Sequence, residues 1–525
     1  MAVLLLAVHE EQVETQSRNL GLHRIAHYLR HHGVRCDICE IGLDDDKEYL
    51  ARAERGEYAL IGLSSTYVFL EKELQTFLPY WKAAAACGAF TCAGGQAPSR
   101  AAAFWLDLGF DGVIRGYGEL PMLKLAQSLE KATGGVPDLT DVPGLTWRNG
   151  ADIQENPAQP LTAELFRELN YTSAKEMGIP AAWLPSLSGQ EPEKGVESSR
   201  YRAFKAWRLF TSHKCPNRCG YCSSSNFLEQ VYGKGCASFG LSVDEVIDLV
   251  DFYHSAYGIS FFNIHDDDFT SPKRFTREFC RRVVDLKQRG RLPQQMAFFC
   301  QSRVVDFLDL KTRRPDMEIL RLMKAAGFHR ISFGVENFSE NMLLTPIMHK
   351  KGYNDPIIMD LLRAADSLDI ESGVNFMVCV PEAEPEDVRL NLERLVDVQE
   401  MNGIAVMNMF IQSYPGSFAF MNPRYPAQTS QHVSPLNGRE YVKQEYFLPH
   451  HPRVRAALAH YMGGGVRDAV AAYKQRHPGV HVQEMKMLNL IKANVMAKHL
   501  GFDDLVSRLE KSIRQRAAFL KNQGN

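Results

Sequence analysis

The sequence predicts an α/β chain: a doubly wound N-terminal domain, then a partial (β/α)6 barrel, then a helical C-terminal region. Three observations predict it. Short apolar runs alternate with helix-periodic stretches over residues 1–145 and again over 205–430, and such alternation builds parallel sheets. Residues 146–204 lose that rhythm and are punctuated by Pro157, Pro160, Pro180, Pro185 and Pro192, the mark of a surface linker. Residues 431–525 are helical by pattern, with no cysteine and no strand run. At roughly 150 residues per domain, 525 residues accommodate three or four such units.

In the first block Val3–Val8 is a short buried strand. Residues 20–33 place Leu22, Ile25, Ala26 and Leu29 at helical spacing, and Gly33 suits the stop. Val34–Ile41, Tyr58–Leu63, Ala89–Ala93 and Gly112–Ile114 follow as strands, with helix patterns running to about Ala86 and through Ala126 and Leu129. Open α/β sheets bind ligands at the carboxyl ends of their strands. Three loops fall there: Ser64-Ser65-Thr66, Gly94-Gly95-Gln96 and Arg115-Gly116-Tyr117-Gly118-Glu119. Their glycines let a backbone approach a ligand closely, although such turns also serve structure alone.

In the second block the strands are Ala206–Thr211, Ser260–Ile264, Gln295–Cys300, Arg330–Gly334, Gly373–Val380 and Val406–Gln412. The helices between them are Ser242–Tyr257, Lys273–Arg289, Asp316–Ala326, Asp355–Leu368 and Glu384–Met401. Ser242-x-x-Glu245 reads as a capping box. Six strands leave the barrel open, because eight close one.

Composition narrows the class. Hydrophobic residues make up 45% and charged residues 23%, which excludes a disordered chain. Sixty Lys and Arg against 62 Asp and Glu give a net charge of −2, so no global field favours nucleic acid or acidic lipid. Met1–Val8 is too short to span a bilayer and lacks the parts of a signal peptide, so the expectation is a cytoplasmic protein without a membrane span. Eleven cysteines, an odd number in a chain with no secretory signal, argue against a disulfide framework.

Three of the eleven cluster. Cys215-Pro-Asn-Arg-Cys219-Gly-Tyr-Cys222 follows the first barrel strand, where catalytic loops of such barrels lie. One short loop then points three thiolates at one centre, the ligand type of iron–sulfur clusters. A four-iron cubane needs four ligands, so one iron is left open. Structural zinc usually takes four ligands, often as two paired clusters, and no second paired cluster is obvious. The other eight cysteines, Cys36 to Cys379, read as structural. Cys36 and Cys39 point to opposite faces of one strand.

The Cys215-x3-Cys219-x2-Cys222 motif, with Tyr221 before the last cysteine, resembles the signature of the radical SAM superfamily. The resemblance implies a [4Fe-4S] cluster on Cys215, Cys219 and Cys222 whose open iron chelates S-adenosylmethionine (SAM), giving a 5′-deoxyadenosyl radical on reduction. It implies an external electron donor of the flavodoxin or ferredoxin type. It places Tyr221, Asp267, Arg303 and Glu336 around SAM. Asp267 stands in His265-Asp266-Asp267-Asp268, where relatives carry an acidic group for the methionine amino group; a divalent-metal site or solvated turn is the alternative. Arg303 would pair with the SAM carboxylate, or else form a surface salt bridge. Glu336 lies in Gly334-Val335-Glu336, which resembles a family segment near the ribose or amino group. Val378-Cys-Val-Pro381 and Gln412-Ser-Tyr-Pro-Gly416 match the edges that cradle adenine, with Cys379 where relatives often have glycine.

With this barrel after it, the N-terminal block resembles the cobalamin-binding domain of B12-dependent radical SAM enzymes. Arg115-Gly-Tyr-Gly-Glu119 is similar to that group's R-G-E-G-E turn. The resemblance implies cobalamin at Ser64, Ser65, Thr66, Gly94, Gly95, Gln96, Arg115, Gly116, Gly118 and Glu119. The Asp-x-His-x-x-Gly motif that supplies a histidine to cobalt elsewhere is absent: none of the 17 histidines has Asp two residues before it. The implied activity is methyl transfer to an unactivated carbon of a small molecule. A radical cyclisation, rearrangement or oxidation without methyl transfer is the alternative, and a non-catalytic iron–sulfur or zinc protein lies further off.

Overall fold

The computed structural model describes residues 2–9, 19–132, 135–183, 205–213, 215–224, 227–233, 239–401, 403–477 and 484–523. Cys236 and the last third of the predicted linker, 184–204, lie outside the described residues.

The N-terminal sheet comprises β1 (Ala2–Val8), β2 (Arg35–Ile41), β3 (Leu60–Ser64), β4 (Phe90–Gly94), β5 (Gly112–Ile114), β6 (Leu145–Asn149) and β7 (Asp152–Glu155), in the order β2-β1-β3-β4-β5-β6-β7. The first five pair in parallel. Strand β1 shows why this is a doubly wound sheet: Ala2, Leu4 and Leu6 enter the core on one face, and Val3, Leu5 and Ala7 the core on the other. Both faces are buried, so the strand reads as an unbroken apolar run. Cys39 and Cys36 follow the same alternation, one in each core. Chain order reverses around β1, with β2 on one side and β3 on the other, which leaves a crevice at the carboxyl edge.

The sheet continues past residue 145, into the segment predicted as linker. Strands β6 and β7 pair antiparallel onto β5. Leu145 and Trp147 are buried, but β7 is polar and exposed throughout, so it carries no apolar signal. Beyond it, helical turns Ala163–Arg167 and Ser173–Met177 lead to Trp183, whose ring meets His23 at 4.4 Å and Trp207 at 5.5 Å. The segment is a strap that ties the N-terminal domain to the barrel.

The barrel sheet is β8 (Ala206–Leu209), β9 (Phe261–Ile264), β10 (Ala297–Arg303), β11 (Phe328–Glu336), β12 (Glu371–Cys379) and β13 (Gly403–Phe410), six parallel strands in sequence order. Helices Val243–Tyr257, Lys273–Gln288, Met317–Ala326, Asp355–Ser367 and Pro385–Glu400 connect them. The first carries the capping box, with Ser242 and Glu245 bonded reciprocally.

After β13 the structure departs from the predicted all-helical tail. β14 (Ala427–Val433) and β15 (Glu440–Phe447) form an antiparallel hairpin whose outer positions are polar and exposed, so no strand run shows in the sequence. It docks on the N-terminal domain. Ser434 Oγ donates to the Leu108 carbonyl at 2.6 Å, Lys443 Nζ meets Glu71 at 2.9 Å, and Leu436 enters the core there. The helices Pro452–His460, Val466–Arg476, Met485–Leu500 and Asp503–Gln523 follow. Asn489 Nδ2 donates to the Ala405 carbonyl at 2.7 Å, so this bundle covers the edge strand β13 and protects it from pairing with another chain.

Replacing Ser242 with Ala removes the side-chain acceptor for the Glu245 amide and is expected to cost about 1 kcal/mol, read as a fall in the urea midpoint of the barrel.

Candidate functional site

The loop between β8 and Phe227 carries the three cysteines. Asp266, fully buried at the end of β9, accepts from Thr211 N at 2.7 Å, from Thr211 Oγ1, and from Ser212 Oγ at 2.8 Å. It thereby fixes where the loop leaves the sheet. Burial, only partly offset by these donors, raises its carboxyl to about 6. At the other end Gly220 is pressed on the segment 346–347, where a Cβ would stand 2.7 Å from the Pro346 carbonyl oxygen. Tyr221 N donates to the Ile347 carbonyl at 3.2 Å.

Cys219 is buried, and Cys215 and Cys222 are half-buried. Asn217 Nδ2 donates to Cys219 Sγ at 3.0 Å. Burial pushes the Cys215 thiol up to about 12, so it ligates as thiolate only where a bound cation displaces its proton. Outside this loop, Glu71, His432 and Glu445 bring ligand atoms within 4.8 Å of one another. That other group already has a cation in it: Lys443 Nζ lies 2.9 Å from Glu71 and 3.5 Å from Glu445. Three soft sulfur donors on one loop fit an iron–sulfur cluster.

The predicted SAM residues divide. Glu336 has φ +68° and sits at a shift in the β11–β12 register, a bulge that re-aims its side chain. It pairs with buried Lys350 at 3.3 Å. Burial alone would lower Lys350, but Glu336, Tyr353, Cys219 and Cys215 hold its ammonium well above the ordinary value. Tyr221 is half-buried beside Glu336, and desolvation raises its hydroxyl. Asp267 keeps an accessible carboxylate in a depression where burial raises it, against a hydrogen bond from Ser224 and the charge of Arg100. Arg303 is occupied: Nε donates to fully buried Asp268 at 2.7 Å and Nη2 to Asp306 at 2.8 Å. Burial, then the adjacent Asp306, raise Asp268. The sequence reading missed Lys350 and Arg100, which come near the loop only through the fold, and Asn217, which lies within the loop two residues before Cys219.

At the carboxyl edge of the N-terminal sheet is a cavity of about 240 Å³. Ser64, Gly94, Gly95, Gln96, Gly116, Gly118 and Glu119 line it. The floor is apolar, with Leu5, Gly62, Ile114 and Met122, and His213 and Phe227 of the barrel close its far side. Gly95 has φ +116°, and a Cβ there would stand 2.9 Å from the Ser65 carbonyl oxygen. Three predicted residues do not line it. Ser65 Oγ and Thr66 Oγ1 turn inward to buried Glu73, at 2.6 and 2.8 Å. Arg115 turns away to Glu155 at 2.8 Å. Asn19 and Arg24, which carried no motif, line the rim. The glycine-lined rim and apolar floor fit a flat cofactor with a buried tail.

Residues 209–395 match the radical SAM superfamily, and residues 11–126 match the B12 binding domain. The chain is 26% identical over 283 residues to an uncharacterised methyltransferase of Pyrococcus horikoshii, covering 54% of this chain and 52% of that protein. It is 26% identical over 287 residues to cytidylyl-2-hydroxyethylphosphonate methyltransferase of Streptomyces wedmorensis, covering 52% of this chain and 49% of that one. The chain thus spans about half the length of the curated relatives it matches. Among solved structures, the radical S-adenosylmethionine methyltransferase TsrM of Kitasatospora setae, with cobalamin and a [4Fe-4S] cluster bound, superposes with a TM-score of 0.61 at 16% identity, covering 97% of this chain and 99% of that chain. That likeness shows the fold. No helix among the described residues is long and apolar enough to cross a membrane.

The rim residue Asn19 is held by Glu40, which accepts from Asn19 N at 2.7 Å and meets His9 at 2.7 Å and His23 at 3.0 Å. Burial alone would raise this carboxyl, but the three bonds lower it to about 2. Its stabilisation is therefore present above the unfolded value near 4.5 and lost as pH falls toward 2. Glu40→Gln removes that contribution, and acid-unfolding curves of the variant should fall less steeply between those two values than those of the parent.

Proposed function

The chain belongs to the B12-binding-domain-containing radical SAM enzymes, and we propose that it is a cobalamin-dependent methyltransferase acting on an unactivated carbon of a small molecule. The observation that carries the proposal is the opposition of two sites: the three-cysteine loop at the carboxyl edge of one sheet faces a glycine-rimmed cavity at the carboxyl edge of the other.

Cys215, Cys219 and Cys222 would hold a [4Fe-4S] cluster, and the rim from Ser64 to Glu119 would hold cobalamin. When bound, these groups supply one electron for reductive cleavage of SAM to methionine and a 5′-deoxyadenosyl radical, and a carrier for a methyl group. The rest is the work of this chain. Asn217 donates toward the Cys219 sulfur and Lys350 offsets the negative charge of the thiolates. Asp267 and Glu336 offer carboxylates to an ammonium or a ribose hydroxyl. His213 and Phe227 wall the space between the two sites, and burial holds His213 neutral by lowering it to about 4. Such walls keep water from a reactive radical. The reducing electron comes from an external donor of the flavodoxin or ferredoxin type. A reducing compartment, the cytoplasm, suits ten described cysteines that are all free.

The test is anaerobic reconstitution followed by dithionite reduction with methyl-labelled SAM. 5′-Deoxyadenosine and label in a product are expected. 5′-Deoxyadenosine with unlabelled product would replace methyl transfer by cyclisation, rearrangement or oxidation, and one equivalent of zinc without 5′-deoxyadenosine would sink the enzyme reading.

Two variants separate the sites. Cys219→Ala should lose iron and lower 5′-deoxyadenosine formation at least about a hundredfold. Gly62→Val fills the cavity floor, where a Cβ already stands 3.2 Å from Leu5 Cδ2 and 3.4 Å from Cys92 Sγ. It should abolish cobalamin uptake while iron content and 5′-deoxyadenosine formation persist.

A further inference from the structure

We propose that the outer side of the cysteine loop is a docking face for a small acidic one-electron carrier protein, which seats on the exposed apolar side chains Leu344, Phe418 and Met421 and is drawn there by Lys351 and Arg313. The proposal rests on the radical SAM reading, which calls for such a carrier, and deepens it by assigning the place and the chemistry of the contact.

The loop is thin where it parts its sulfurs from solvent. Cys219 is buried and Cys215 and Cys222 are half-buried, while Pro216 and Arg218 between the first two are exposed. Electron transfer falls off steeply with distance, so a partner resting on this side has the short path. Two barrel segments flank the loop here. Ala419 N donates to the Gly220 carbonyl at 2.9 Å. Opposite, the Pro346 carbonyl oxygen and Ile347 Cα would stand 2.7 and 2.9 Å from a Cβ on Gly220, and Asn217 Nδ2 donates to the His349 carbonyl at 3.2 Å. These contacts bring three exposed apolar side chains to the loop: Phe418 (53% exposed) and Met421 (79%) on either side of Ala419, and Leu344 (54%) two residues before Pro346. Large apolar groups gathered on a surface and edged by charge mark a contact with another protein.

The charge at this place is one-sided. Residues 215–224, 344–354 and 413–426 hold Arg218, Lys350, Lys351 and Arg424 and no Asp or Glu, in a chain whose net charge is −2. Three of these cations have carboxylates from elsewhere: Lys350 meets Glu336 at 3.3 Å, Arg218 meets Glu229 at 2.7 Å, and Arg424 lies 3.9 Å from Glu382. Lys351 is exposed. Beside it lies the exposed turn Lys311-Thr312-Arg313-Arg314, where Arg313 Nη1 would stand 3.2 Å from a Cβ on Gly352. Asp309 fixes that turn by accepting from the Lys311 and Thr312 amides at 3.0 and 2.7 Å, so its cations are held toward solvent. Cations beside an apolar spot fit a carrier whose redox group lies in an acidic face: opposite charge steers the encounter, and the apolar contact expels water. The step at this interface is one electron leaving the carrier and entering the bound cluster, with no bond made or broken there.

The experiment uses holoenzyme with reconstituted cluster and a purified flavodoxin as the carrier. It measures the dissociation constant for oxidised flavodoxin by calorimetry, and 5′-deoxyadenosine formation driven either by flavodoxin hydroquinone or by dithionite. The double variant Lys351→Glu, Arg313→Glu and the single variant Met421→Glu should each weaken flavodoxin about tenfold and raise its half-saturating concentration to match, with the dithionite-driven rate unchanged. Raising the ionic strength from about 0.05 M to about 0.5 M should weaken the parent complex and narrow the gap to the double variant. Lys131→Glu, on the N-terminal helix Glu119–Ala132, should bind flavodoxin as the parent does. Iron content equal to the parent certifies the fold; should a variant lose iron, the milder Lys351→Gln, Arg313→Gln pair decides by the same readouts. A parent that does not bind flavodoxin, variants that bind it as the parent does, or equal losses with flavodoxin and dithionite overturn the docking face. A parent that forms no 5′-deoxyadenosine with dithionite overturns the radical SAM reading, and the docking face with it.

Discussion

Three thiols reach one centre only if the loop that carries them is held from outside, because that loop has almost no regular structure of its own. The hold is provided at both ends. Asp266 binds Thr211 and Ser212 where the loop leaves β8, and the 346–347 segment bears on Gly220 where it turns back. A carboxylate raised to about 6 by its own burial is an expensive fastening, and it persists because three donors converge on it. Everything nearby is arranged on this loop: Lys350 and Glu336 act on Cys219, Ser224 holds Asp267 by a hydrogen bond, and Phe227 lies under the Arg100 guanidinium.

The second constraint is the meeting of two carboxyl edges. Doubly wound sheets and β/α barrels both place ligands at that edge. Here the edges face each other, and the chain secures the arrangement more than once. The strap brings Trp183 between His23 and Trp207, the hairpin β14–β15 seats Lys443 and Leu436 on the N-terminal domain, and Tyr232 OH accepts from Tyr117 N at 2.7 Å across the seam. The spacing of the two sites is thus set by packing on both sides of the seam.

Much of this was legible in the sequence, for definite reasons. Strand β1 announces itself because both its faces are buried, and Ser242-x-x-Glu245 because a cap is local chemistry. The cysteine loop is legible because its ligands lie within eight residues. What stayed hidden has the opposite character. Strands β7 and β14 are polar and exposed, so their pairing leaves no hydrophobic period. Lys350 and Arg100 lie more than a hundred residues from the cysteines they face, and Ser65, Thr66 and Arg115 sit in recognisable loops but turn to Glu73 and Glu155. A motif gives the path of a backbone; where a side chain points depends on partners that only the fold assembles.

The central claim is that the two sites open on one seam. It is tested most directly by EPR of holoenzyme carrying cob(II)alamin together with the reduced cluster. Two paramagnets at the facing edges should show a dipolar interaction, seen as broadening or splitting of the cobalt signal that vanishes when the cluster is oxidised. A cobalt signal that does not change on cluster reduction would contradict the account.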